Sequence, residues 1–462
     1  MASLPLRVMR ASIERNRSSR AVACSDRESF VTTLKFSRRQ LVGAGVAAGL
    51  MTSLPAIAEL QVSITGVGAN QLPIAVKVLE GTSLVGEDLS AVIGADLERS
   101  GAFRLIPTGA EGAAEDLSKP ESLPHWAQAG ANALVVGSVK QLSDGRWEVK
   151  YFLHDAVSNT MLDSGQFVVS KKQIRMAAHR VADRIYTKLT GEDPMFASRL
   201  AYVSQLGRRD FRLIVADSDG ANTVEVLRSD EPIISPVWSP DGRKLAYVSF
   251  ERRKPIVFIQ DLSTGGRHAI SAFRGNNSAP AFSADGQMMA VALSRDGVTQ
   301  VYLMRANGTG LRRFTRSYGI DTEPVFSNDG RWLYFTSDRG GAPQIYRQLL
   351  DGSAPAERVT FGSSYAISPS ISPDGKTLAY ISRINGRFRT AVMDLSTGQT
   401  TLVSTTDRDE SPSFAPNGRF LVYATEERGR GVLGTASTDG RLMTRLTGKG
   451  DIREPSWGPI LP

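Results

Sequence analysis

One hairpin recurs along the second half of this chain at intervals of about 44 residues. It reads "PVWSPDGRKLAYVS" from Pro236, "PAFSADGQMMAVALS" from Pro280, "PVFSNDGRWLYFTS" from Pro324, "PSISPDGKTLAYIS" from Pro369 and "PSFAPNGRFLVYAT" from Pro412. A sixth copy, "PSWGPILP" from Pro455, stops after its first strand. Within each copy the turn is chemically specific. In "SPDG", Pro240 presets φ, Asp241 suits the next position, and Gly242 accepts the left-handed conformation that a tight hairpin needs. Aspartates at such turns resemble calcium ligands in type, but their spacing is not that of a calcium loop and Asn417 replaces one of them. They read as turn formers.

Each hairpin is followed by an apolar strand, another turn and a short fourth strand, as in "IVFIQDLSTGG" (256–266) then "RHAIS" (267–271). Four strands in about 44 residues is the period of a propeller blade. In "KLAYVS" both alternating faces are apolar or small, as a sheet buried between two neighbours requires. Trp238, Phe282, Phe326, Ile371, Phe414 and Trp457 fall at one position of the repeat and read as packing between blades. Upstream of the first full copy lie "RLAYVS" (199–204), "FRLIVADSDG" (211–220) and "TVEVLRS" (223–229), which are strands two to four without a strand one. The broken last copy supplies it. The expectation is a six-bladed ring over 199–462, clasped by residues 452–457, with no open edge left between its ends.

Residues 59–191 read as a separate α/β domain. "ELQVSITG" and "PIAVKVLEG" are expected strands, "GEDLSAVIGADLERSG" (86–101) is an amphipathic helix, and 131–142 with 146–155 form a hairpin. A last helix spans 171–191, its apolar face made by Ile174, Ala177, Ala178, Val181, Ile185 and Leu189. The connection at 192–198 is too short for free movement between the two domains.

The net charge of +8 does not point to nucleic acid, because it is concentrated before residue 59. That segment holds nine of the 55 basic residues and only three of the 47 acidic ones. It ends in Arg38-Arg39, a weakly apolar Gly-rich run and an A-x-A site with cleavage expected after Ala58. Residues 1–58 therefore read as a cleaved export signal of twin-arginine type, with general export as the other route. Three glycines and Pro55 make the run a poor membrane span. The lone cysteine, Cys24, lies in this segment, which leaves no disulfide in the mature part.

Catalysis finds no support. An exported propeller can gate a serine peptidase, but that chemistry needs a G-x-S-x-G elbow. The nearest approach, "GSSYA" (362–366), ends in Ala and lies between blades. The four histidines have no metal spacing, and His179, among basic residues on a helix, reads as part of a solvated face. No catalytic, metal or cofactor residue is assigned.

An exported α/β domain followed by a six-bladed propeller of these repeats resembles the TolB family of the Tol-Pal system of Gram-negative bacteria. The resemblance covers essentially all of 59–462 and is carried by "SPVWSPDGRKLAYVSFE" (235–251), "APAFSADG" (279–286), "DTEPVFSNDG" (321–330), "TSDRGGAPQIY" (336–346), "DESPSFAPNG" (409–418) and "EPSWGP" (454–459). It implies a periplasmic, non-catalytic adaptor, monomeric in its complexes. Such an adaptor keeps the outer membrane intact and supports its invagination at cell division. It implies binding of the lipoprotein Pal by the propeller and of TolA by the mature N-terminus, with colicins and other envelope proteins as further partners. On this sequence the Pal site maps to the loops entering the first strands: Asn276, Ser278 and Ala279, then Asp321, Thr322 and Glu323, then Asp409, Glu410 and Glu454. Asn276 stands where a compared member has His. The acidic members of this set suggest a basic partner surface. The TolA segment maps to Glu59, Leu60, Gln61, Val62, Ser63 and Ile64, which also read as an edge strand of the first domain. The other reading is an exported propeller that binds a small ligand or glycan, or serves a separate hydrolase.

Overall fold

In the computed structural model, which describes residues 61–65, 71–108, 116–120 and 122–461, each repeat turn is held by its own side chains. Ser239 Oγ donates to Asp241 Oδ1 at 2.6 Å, and Asp241 accepts the Arg243 N–H at 3.0 Å. Gly242 sits at φ 68°. Ser283–Asp285, Ser327–Asp329 and Ser372–Asp374 repeat the hydroxyl-to-carboxylate bond. In the fifth turn Asn417 accepts the Arg419 N–H at 3.0 Å. The aspartates thus serve the turn, as their spacing suggests.

These turns join four-stranded antiparallel meanders into six blades. Blade 1 consists of Asp451–Trp457, Arg199–Gly207, Asp210–Asp217 and Val224–Ser229, from the inside outward. Its inner strand comes from the C-terminal end, with Ile452 paired to Ser204 and Trp457 to Leu200. Trp457 Nε1 donates to Ser198 Oγ at 2.9 Å, and Trp238 Nε1 of blade 2 donates to the Ser456 carbonyl at 3.1 Å. The C-terminal strand therefore closes the ring. Buried residues such as Leu245, Tyr247, Leu333, Phe335, Leu421 and Tyr423 fill the contacts between blades.

The N-terminal domain is a mixed sheet in the order β3-β2-β4-β5-β6, formed by β2 (Leu72–Val76), β3 (Phe103–Ile106), β4 (Ala133–Gln141), β5 (Trp147–Asp155) and β6 (Thr160–Val169). β2 runs parallel to β3 and β4, and β4–β5–β6 is an antiparallel meander. Helix α1 (Leu89–Arg99) starts at Asp88, whose carboxylate accepts the Ser90 and Ala91 N–H groups. Helix α2 (Leu123–Gln128) is short, and α3 (Ile174–Thr190) ends at Gly191 with φ 74°. Among the described residues no helix is long and apolar enough to cross a membrane.

Two features differ from the sequence expectation. First, β1 (Gln61–Thr65) does not join the sheet of the first domain. It pairs antiparallel with Met443–Thr447, making blade 6 a five-stranded sheet in which Val62 faces Leu446 and Ile64 faces Thr444. An outer propeller strand presents a row of free N–H and C=O groups, and β1 satisfies them. Second, His179 is not solvated but fully buried. Its Nδ1 lies 2.5 Å from Asp96 Oδ2 of α1, and its Nε2 lies 3.8 Å from Asp217 of blade 1. Arg175, one helical turn earlier, contacts Glu87 and reaches Asp219 at 2.5 Å, while Arg99 reaches Ser218 at 2.7 Å. α3 thus has a second buried face, directed at the propeller.

Burial opposes a charge on His179, but Asp96, Asp217 and Asp219 outweigh it and raise its pKa to about 10. Asp96, His179 and Asp219 also bring potential metal-ligand atoms within 4.8 Å of one another. Arg175 and Arg99 already pair with those carboxylates, so the cluster reads as an ionic seam between the domains. The connection is pinned beside it. Asp183 of α3 accepts the N–H groups of Met195, Phe196 and Ala197 at 2.7–2.8 Å. Arg419 of the propeller grips Glu192 through two hydrogen bonds of 2.7 and 2.8 Å.

Candidate partner-binding site at the channel mouth

Antiparallel meanders put the loops between second and third strands, and those leading into each new first strand, at one end of the ring. The "SPDG" turns lie at the other. Every inner strand carries a bulge just before its proline: the pairing register shifts between Ile234 and Val237, Ser278 and Ala281, Thr322 and Val325, Ile367 and Ser370, Glu410 and Ser413, and Arg453 and Ser456. The pre-proline residue of every blade is left-handed: Ser235, Ala279, Glu323, Ser368, Ser411 and Glu454 have φ between 47° and 54°. Side chains rarely adopt this backbone, and six equivalent instances mark a built feature of the fold.

Two of the six are glutamates, in blades 1 and 4, on opposite sides of the ring. Glu323 accepts from Ser368 N at 2.8 Å, Ser368 Oγ at 3.1 Å and Thr336 Oγ at 2.8 Å. Glu454 accepts from Ser235 N at 3.3 Å and Ser411 Oγ at 3.4 Å. Each glutamate therefore ties its inner strand to that of a neighbouring blade. Burial, and then the proximity of Glu410 and Glu323, pushes the Glu454 pKa up to about 8.

Three residues before the proline, a second set holds the entry loops. Asp321 is fully buried and takes Arg339 at 2.9 Å with Ser337 Oγ at 2.6 Å and Ser317 Oγ at 3.0 Å. Asp409, also buried, accepts from the Thr390 N–H at 2.8 Å and the Thr406 hydroxyl at 2.5 Å. Asn277 does the same in blade 3, accepting from Ser271 Oγ at 2.8 Å and the Phe273 N–H at 2.9 Å. Its neighbour Asn276 donates to Ser278 Oγ at 2.7 Å. Glu410 lies 3.5 Å from Arg453. Thr322 and Ala279 are half-buried beside them.

The structure thus gathers the sequence-selected residues of blades 1, 3, 4 and 6 at one end of the channel, but not as an acidic rim. Asp321, Asp409, Glu410 and Glu454 are buried and engaged with neighbours, and Glu323 is half-buried. Exposed cations stand in the loops at this end, Arg252, Arg253 and Lys254 on blade 2, Arg274 entering blade 3 and Arg316 entering blade 4, together with the exposed acids Asp230, Asp296, Asp407 and Glu427. Tyr318 is fully exposed and Phe361 is 64% exposed in the neighbouring entry loops. The sequence reading counted carboxylates without their partners, and Arg339 lies 18 residues from the Asp321 it neutralises.

Of the N-terminal segment, Gln61–Ile64 are paired along Thr444–Thr447, and Glu59 and Leu60 lie outside the described residues, as do Arg38, Arg39 and Ala58. Glu410 and β1 occupy opposite edges of the blade 6 sheet, four strand spacings or about 19 Å apart.

This architecture defines a class: an α/β domain seated on a six-bladed propeller whose inner strands are cross-tied at the channel mouth. Residues 60–162 match the TolB amino-terminal domain, and residues 186–461 match the TolB beta propeller domain. The Tol-Pal system protein TolB of Dechloromonas aromatica is 51% identical over 403 residues, spanning 87% of this chain and 94% of that protein. That of Polaromonas naphthalenivorans is 50% identical over 429 residues, or 93% of this chain and 99% of the relative. The crystal structure of TolB from Acinetobacter baumannii superposes with a TM-score of 0.79 at 38% identity, covering 87% of this chain and all of that one. The chain belongs to the TolB family of Tol-Pal system proteins.

Proposed function

We propose that the protein is a non-catalytic periplasmic adaptor. It binds Pal at the channel mouth and TolA through residues 59–64, and so helps maintain the outer membrane and draw it inward at division. The observation that carries this reading is the mouth itself: inner strands cross-tied by Glu323 and Glu454, and entry loops held by Asn277, Asp321 and Asp409. A surface so fixed loses little freedom on binding. The arginines above it supply steering toward an acidic partner. The β1 segment is attached to blade 6 along its outer edge, so it can be released without opening the blade, and a partner can take it up by strand addition.

The test is calorimetric titration of residues 59–462 with the soluble domain of Pal at two salt concentrations. Saturable one-to-one binding that weakens with salt, and falls about tenfold in the Arg274→Glu, Arg316→Glu double variant, supports the adaptor. No binding at either salt overturns it. In the second arm, deletion of residues 59–68 abolishes TolA binding; unchanged binding refutes that half.

A further inference from the structure

Four loops at the mouth end form one continuous surface on blades 2 and 3: residues 250–255, 272–276, 294–299 and 316–320. Lys254 Nζ donates to the Ala272 carbonyl at 3.4 Å, which joins the first loop to the second. The Arg295 guanidinium lies 5.0 Å from the centre of the Phe273 ring, which joins the second to the third. The Asp321 N–H donates to the Thr299 carbonyl at 2.9 Å, which ties the third to the end of the fourth.

The acids in and beside this sector are already matched. Asp230 and Glu231 both lie 3.7 Å from Arg209, and Glu251 lies 2.8 Å from Arg267. Asp296 lies 3.1 Å from Arg295 and accepts the Tyr302 hydroxyl at 2.7 Å. What is left over is cationic: Arg252, Arg253 and Lys254 in the first loop, Arg274 in the second and Arg316 in the fourth, all exposed. Among the described residues none of these five has an ion-pair partner. Two apolar tips stand among them, Val298 at 48% exposure and Tyr318 fully exposed.

This combination selects one kind of partner. A small anion meets one or two of these cations, whereas an extended anionic surface meets all of them at once. Aliphatic and aromatic tips held out in water between cations match the zone where lipid headgroups give way to acyl chains. We propose that this face docks on an anionic phospholipid surface. The cations meet headgroup phosphates, and Tyr318 and Val298 insert between the headgroups. Each cation near such a surface contributes about fivefold in binding, and the turn at 252–254 supplies three of the five. The docking needs no protein partner, so it stands or falls separately from the binding of Pal.

Co-sedimentation of residues 59–462 with vesicles of phosphatidylcholine, alone or mixed with an equal amount of phosphatidylglycerol, tests this. The protein should bind the mixed vesicles saturably, at least about tenfold more tightly than the neutral ones, and more weakly as salt rises. The Arg252→Glu, Arg253→Glu, Lys254→Glu variant should lose at least about tenfold of that affinity. A control variant, Arg243→Glu, Arg305→Glu, Arg312→Glu, changes the net charge equally at the far end of the ring and should keep it. Tyr318→Ser should weaken binding about threefold with the salt dependence intact. Thermal unfolding of each variant verifies that the fold is retained. The vesicles carry no protein, so failure here leaves the Pal titration untouched. Equal binding to both vesicles, equal loss in the two charge variants, or indifference to Tyr318→Ser overturns the proposal, the last outcome pointing to a soluble polyanion instead.

Discussion

At the residue scale, the pre-proline glutamates carry a cost that the fold retains. Glu454 is buried, and its pKa is raised to about 8 by burial and then by Glu410 and Glu323. An acid with a raised folded-state pKa binds more protons folded than unfolded, so its contribution to stability falls as pH climbs from about 4.5 to 8. Glu454→Gln keeps the shape and the hydrogen-bonding oxygen but holds no charge. It should raise the unfolding midpoint at pH 8, worth about 1–2 kcal/mol, and change little at pH 5. Thermal melts of the two proteins at both pH values check this; equal shifts at pH 5 and 8 contradict a protonation effect. Asp321 is different, because Arg339 and two hydroxyls compensate it. Asp321→Ala should cost about 3–5 kcal/mol by leaving Arg339 half-buried and unpaired, measurable by denaturant unfolding.

At the element scale, what was legible depended on whether an element's environment is local. The hairpins were readable because each turn is completed by residues within five positions, as in Ser239, Asp241 and Lys244. The face of α3 that packs on its own sheet was equally plain. Its other face was not, because Asp217 and Asp219, which accompany the burial of His179, arrive from a blade some 40 residues onward. The helix therefore looked amphipathic when it is buried on two sides. The same limit hid the state of the rim acids, whose partners, hydroxyls and N–H groups for Asp409 and Glu454 and Arg339 for Asp321, come from elsewhere in the chain. His179 gives this seam a measurable signature. Burial opposes its charge and Asp96 favours it, with a net pKa of about 10, so the stabilisation is complete below about 6.5 and lost as pH rises through about 10. His179→Ala should cost about 3–5 kcal/mol at pH 7 by emptying a buried site and leaving Arg99 as the remaining cation on Asp96. It should also flatten the loss of stability between pH 8 and 10, which thermal melts across that range would reveal.

At the scale of the whole molecule, both ends of the folded chain finish sheets that other segments began. The C-terminal strand supplies the interior of blade 1, and β1 supplies the exterior of blade 6. The energetic consequences differ. The inner strand brings Trp457, which is 7% exposed and bonded to Ser198, into contact with the core shared by the two domains. Trp457→Ala should cost about 3–5 kcal/mol. β1 is held along one edge only, at the margin of a blade that already has four strands. Removing residues 59–65 should therefore leave the unfolding midpoint of the propeller nearly unchanged. It exposes the N–H and C=O groups of Met443–Thr447, a ready template for another strand. The truncated protein should self-associate at concentrations where residues 59–462 stay monomeric, and an added peptide of sequence ELQVSIT should reverse it. Sedimentation velocity across a concentration series decides the matter. If the truncated protein stays monomeric and its melting point drops by many degrees, β1 is a structural staple of blade 6 rather than a releasable cover.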